Sequence, residues 1–211
     1  MQRRRVGLLG GTFDPVHYGH LVVAEEVCYA LNLDEMDFIP AGQPPHKRRQ
    51  PITPAADRLA MLALATASNP RFCISEVDIQ RPGPSYTVDT LRLLREQWGE
   101  SAELYFVIGW DSLEELTTWH DPQGLVAQLD RLVAVHRPGH QEMPGYREQL
   151  EAGLPGITQR LLTVPVPQLD ISASDLRQRV ATGRPIRYQT PDAVVQYIRE
   201  HNLYVSNPNE R

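Results

Sequence analysis

The chain has 211 residues, 41% of them hydrophobic and 22% charged, which excludes a disordered or fibrous protein and supplies enough apolar surface for one substantial core. A formal net charge of −5 and a pI near 5.8 leave no overall basic field, so nucleic acid is not expected as a partner and anion binding must rest on local clusters. Two cysteines, Cys28 and Cys73, lack metal-ligand spacing and read as buried small hydrophobes in a reducing, cytoplasmic setting.

The start, "MQRRRVGLLGG", sets three arginines before an apolar run, but Val6 to Leu9 is too short for the core of a signal peptide. It reads instead as a buried first strand. No stretch approaches the ~18 apolar residues of a membrane-spanning helix, so no membrane partner is expected. The glycine turn that follows, "GGTFDPVHYGH", lets backbone approach a ligand and opens a helix that runs to Leu31. It has neither the three spaced glycines of a dinucleotide fingerprint nor the Lys-Ser/Thr of a P-loop. His17 and His20, three residues apart, share one side of the first helical turn, where imidazoles can steady negative charge on phosphate oxygens. A capping histidine beside a surface histidine is the plain alternative, and a zinc site a third, although spacing shows no further ligand.

A second strand, Met36 to Pro40, leads into "GQPPHKRR", where Lys47 offers a mobile point charge to a polyphosphate, unless the run is only a solvated basic loop. A helix from Pro54 to Ser68 follows, with proline suited to its first turn, then a strand from Phe72 to Val77. "QRPGPSYT" shapes the entry to a helix from Thr87 to Trp98. Leu104 to Ile108 is the fourth strand and Asp111 to Leu116 a short helix, with "TTWH" beyond it; Leu132 to His136 and Leu161 to Val166 are the fifth and sixth strands. Between these last two, "HQEMPGYREQLEAGLPGI" has a polar helix-like pattern that suits either packing on the sheet or self-association into a homo-oligomer. In "DISASDLRQRV", Ser172 precedes a helix reaching Ala181 and Arg177 lies a turn further on. The serine is either an N-cap or, with the same amides and Arg177, a phosphate holder. A last helix spans Pro191 to His201. Strands alternating with helices predict an α/β fold: a doubly wound, Rossmann-like parallel sheet in a single domain over residues 1–211. Ligands would then sit beyond the carboxyl ends of the strands.

The order "GGTFDPVHYGH", "PPHK", "SYTVDTL", "GWDSL", "TWH", "HRPG" and "ISASDLR" resembles the bacterial nicotinate mononucleotide adenylyltransferases of the nucleotidyltransferase superfamily, from Val6 to about Tyr204. The resemblance implies transfer of the adenylyl group of ATP to nicotinate mononucleotide, giving nicotinate adenine dinucleotide and pyrophosphate in NAD synthesis. The mononucleotide phosphate would attack the α-phosphorus in line, with no enzyme nucleophile. It implies that His17 and His20 bind the triphosphate and stabilise the transition state, that Gly10, Thr12 and Phe13 shape the floor where both phosphates meet, and that Lys47 reaches a phosphate. Ser172 and Arg177 would hold the triphosphate from the opposite wall, so that the C-terminal helices, about 172–204, complete the site. Gly109 and Asp111 would receive the adenosine ribose, although Asp111 could simply cap the next helix. Thr87, Trp119 and Arg137 would recognise the mononucleotide, with the indole as a stacking face or else a core residue. Amides near Tyr86–Thr87 and Trp119–His120 would read the nicotinate carboxylate. Mg2+ is expected on the ATP phosphates. Two departures from the family pattern are Trp110, where a small residue is common, and "ISAS" in place of a form ending in threonine. A nicotinamide mononucleotide or phosphopantetheine adenylyltransferase, or a nucleotide-binding sensor without catalysis, remains as an alternative.

Overall fold

The computed structural model describes residues 3–45, 52–167 and 169–205. Six strands form one parallel sheet: β1 (Arg4–Gly11), β2 (Glu35–Pro40), β3 (Phe72–Ile74), β4 (Ala102–Gly109), β5 (Arg131–His136) and β6 (Leu161–Pro165). Their order is β3-β2-β1-β4-β5-β6, so the winding reverses between β1 and β4. Such a reversal leaves a crevice at the strands' carboxyl ends, where the first and fourth loops part to opposite faces.

Near-continuous apolar strands are what a sheet covered on both faces requires, and both faces are covered here. One core takes Leu9, Phe38, Tyr105, Val107, Val133 and Val135 from the sheet. Against it pack α1 (Tyr18–Ala30), α2 (Ala55–Thr66), α8 (Ala173–Ala181) and α9 (Asp192–Glu200) through residues such as Val27, Met61, Leu62, Leu176, Val194 and Ile198. The other core takes Val6, Leu8, Leu104, Phe106, Leu132 and Ala134. It is covered by α4 (Thr87–Trp98), α5 (Trp110–Glu114), α6 (Pro122–Gln128) and α7 (Tyr146–Gly153). The buried residues of α2, Arg58, Met61, Leu62, Ala65 and Thr66, recur at helical spacing and mark its inner face.

Several boundaries differ from the sequence expectation. The third strand stops at Ile74: after Ser75 N–H bonds the Phe38 carbonyl, the amides of Ile79 and Gln80 turn back to the Glu76 carbonyl and open α3 (Val77–Gln80). Helix α6 was not anticipated, although Asp121-Pro122 carries its start signal: the Asp121 carboxylate accepts the Gly124 amide at 3.0 Å, with proline in the first turn. In the segment 140–157, Leu150, Leu154 and Ile157 are buried in the second core, so this part of it packs on the sheet. Among the described residues no helix is long and apolar enough to cross a membrane.

Candidate active site

The crevice between the ends of β1 and β4 holds a cleft of about 370 Å³ lined by Gly10, His17, Gly19, His20, Gly109, Ser112, Trp119 and Ile171 among apolar neighbours. The extended backbone of His17 makes it the N-cap of α1, where the His20 amide turns back to the His17 carbonyl at 3.0 Å and the Tyr18 amide donates to the Gln189 carbonyl at 3.0 Å. The His17 amide donates to Nδ1 of His20 at 3.2 Å. In its neutral form His20 therefore keeps its proton on Nε2, as a donor. The two rings stack face to face, 3.7 Å between centroids and 29° apart. Among the described residues no group of three or more His, Cys, Asp or Glu joins them as metal ligands.

His17 is buried, and its side chain faces the backbone amide of His20 in the capping box that the two histidines form. Burial pushes its pKa down to about 4, so the imidazole is uncharged at neutral pH. Gly19 makes room for it, since a β-carbon there would stand 3.0 Å from His17 Nδ1. Phe13, fully buried, sets its ring edge-on to His20 at 5.0 Å and supports it from below. It thus supports the cleft without lining it; Thr12 likewise does not line the cleft, and its carbonyl accepts from Arg58.

The C-terminal motif reaches the same loop by another route. Ser172 Oγ accepts the Asp175 amide at 3.1 Å and is an N-cap for α8, while its neighbour Ile171 lines the cleft. Arg177 stands in an adjoining open cleft with Asp14, Thr53, Ser174 and Tyr204. Its guanidinium donates to the Asp14 carbonyl at 2.7 Å and to Ser174 Oγ at 3.3 Å. Lys47 lies outside the described residues.

On the other side, Trp119 is half-buried, lines the cleft and meets Phe106 edge-on at 6.3 Å, so it is a wall residue and not a core one. The segments around Tyr86–Thr87 and Trp119–His120 do meet: the Tyr86 and His120 rings stack at 4.1 Å. Thr87 opens α4, and Arg137 is exposed just past β5; neither lines the cleft. Asp111 is exposed in the first turn of α5, whose N-cap is Gly109, so it caps nothing. Trp110 packs outward from the cleft against His140 at 4.3 Å and Tyr146 at 5.4 Å, and its indole N–H donates to Glu114 at 3.0 Å. It braces the loop after β5.

Sequence reading passed over Arg58. Only 1% exposed, it donates to the carbonyls of Thr12, Ala41 and Thr53 and so ties the loops after β1 and β2 together. Burial lowers its pKa, an effect that Asp14 partly offsets. The available signal was an arginine in register with Met61, Leu62 and Ala65 on the apolar face of α2.

A cytidylyltransferase-like family model matches residues 8–179. A protein of Thermomicrobium roseum described as a probable nicotinate-nucleotide adenylyltransferase is 52% identical over 200 residues, covering 95% of this chain and 91% of its own. One of the same description from Roseiflexus sp. is 50% identical over 205 residues, 97% of this chain and all of its own. Among solved structures, Plasmodium falciparum nicotinic acid mononucleotide adenylyltransferase complexed with NaAD superposes with a TM-score of 0.75 at 19% identity, over 96% of this chain and 98% of the other, which establishes the shared fold. With a family model spanning most of the sequence and relatives near 50% identity along nearly all of it, this chain belongs to the cytidylyltransferase-like nucleotidyltransferases, among the nicotinate-nucleotide adenylyltransferases.

Proposed function

We infer that the chain is an enzyme of NAD biosynthesis that transfers the adenylyl group of ATP to nicotinate mononucleotide, releasing nicotinate adenine dinucleotide and pyrophosphate. The observation that carries the reading is a pair of histidines stacked at the mouth of α1, at the sheet's winding reversal, in a chain about half identical to nicotinate-nucleotide adenylyltransferases over almost its full length.

In this reading the triphosphate meets the positive end of the α1 dipole, the Nε2–H of His20 and the neutral imidazole of His17. These groups are strongest where charge grows on the phosphate oxygens. Ser172, Arg177 and Lys47 hold it from the other side, and Gly10 with Gly109 leaves backbone room for the reacting phosphates and the ribose, which Asp111 receives. Trp119 offers its face to the pyridine ring. Tyr86, Thr87, His120 and Arg137 frame the carboxylate and the mononucleotide phosphate. Bringing two phosphates together in line needs positioning and charge stabilisation, not a nucleophile from the protein. Mg2+ travels with ATP as part of the substrate, held by phosphate oxygens and water. Cys28 and Cys73 are both free thiols, which suits a cytoplasmic setting.

The test is pyrophosphate release from ATP with nicotinate mononucleotide, nicotinamide mononucleotide and phosphopantetheine in parallel. Nicotinate mononucleotide should give the highest kcat/KM. A preference for either of the others overturns the substrate assignment, and no turnover with any of them favours a sensor.

A further inference from the structure

The polar knot under the first loop joins parts of the chain that local sequence does not connect. Asp14 is 3% exposed, and both its oxygens are engaged. Oδ1 accepts the hydroxyl of Tyr204 at 2.7 Å, and Oδ2 accepts the Thr53 amide at 3.3 Å. The carbonyl of the same residue accepts from Arg177 Nη1 at 2.7 Å. Tyr204 lies past the end of α9, 190 residues from Asp14. Burial first, and then the Asp14 charge, raise its hydroxyl pKa far above the ordinary range, so it stays a donor at any working pH.

We propose that Tyr204 and Asp14 are positioning residues for Arg177: the tyrosine hydroxyl fixes the Asp14 carboxylate, and the peptide so fixed presents the carbonyl that aims the guanidinium. An arginine has several rotatable bonds, and one already held in the orientation that the transition state requires does not have to be ordered during the reaction. A tail that adds no atom to the cleft around the histidines thereby sets the geometry of a cation that acts there. This rests on the reading that Arg177 engages the triphosphate.

The experiment is a double-mutant cycle on the full chain, with kcat and KM measured for each variant and folding checked by thermal melting. Tyr204→Phe removes one oxygen and keeps the ring. It should lower kcat about five- to tenfold, with KM for the mononucleotide within about twofold, and should cause no further loss in an Arg177→Ala background. Asp14→Asn, which keeps the carbonyl and an acceptor oxygen, should retain more of kcat than Asp14→Ala, and carries the test should Tyr204→Phe not fold. The same loss in both backgrounds, or none in the parent, overturns the positioning role. Full activity of Arg177→Ala alone refutes the underlying reading of Arg177, and that single measurement separates the two failures.

Discussion

Replacing His17 with asparagine removes a buried group whose titration is tied to folding. The imidazole drops from 6.5 to about 4 on burial. A group with a depressed folded pKa contributes stability above its unfolded pKa and loses it as the pH falls toward the folded value. From pH 7.5 to 4.5 the unfolded chain takes up this proton almost completely and the folded one only by about a quarter. That difference removes ~2.5 kcal/mol of stability from the parent and nothing from His17→Asn. Other groups titrate in the same interval, but in both proteins, so they cancel in the difference. Urea denaturation followed by circular dichroism at the two pH values reads it: the stability gap between parent and variant should narrow by about 2.5 kcal/mol on acidification. A gap that stays constant would mean that His17 is solvated and charges normally, and the claim that a neutral imidazole faces the triphosphate would go with it.

Asp37 shifts the other way. Buried on β2 with Oδ1 unpartnered, its carboxyl is pushed up to about 6, by burial first and Glu35 second. Its stabilising contribution is complete below the ordinary value of 3.8 and lost as the pH rises through 6. Asp37→Asn should therefore stabilise the protein at pH 8 by up to about 3 kcal/mol, with the gain fading toward pH 4; equal gains at both pH values would refute this. His20→Ala should lower kcat by about a hundredfold or more while the melting temperature stays nearly unchanged, because the half-buried ring contributes a donor to the cleft more than it fills the core. A variant with unchanged rate removes His20 from the catalytic group.

The alternation of apolar runs with helical periods determined the sheet and its parallel sense, because a strand covered on both faces and a helix with one apolar stripe leave different periodicities. The order of short motifs determined the family. His17 and His20 were legible because their spacing at a helix start is local, and Ser172 because a cap is local too. The short helix α6 was legible in principle, from Asp121-Pro122.

Tertiary structure alone decided how those residues behave. His17 is neutral because segments distant in sequence bury it, and nothing in "VHYGH" states how much water reaches the ring. Phe13 is buried edge-on against His20, and Tyr86 finds His120 across a gap of more than 30 residues. Arg58 bonds the Thr12 carbonyl and Arg177 that of Asp14, backbone groups that every residue possesses and no motif encodes, and Tyr204 reaches the Asp14 carboxylate from the far end of the chain. Periodicity and capping are properties of a few consecutive residues, so sequence reveals them. Desolvation and long-range hydrogen bonds depend on which remote segments the packed sheet brings together, and only the folded chain sets them.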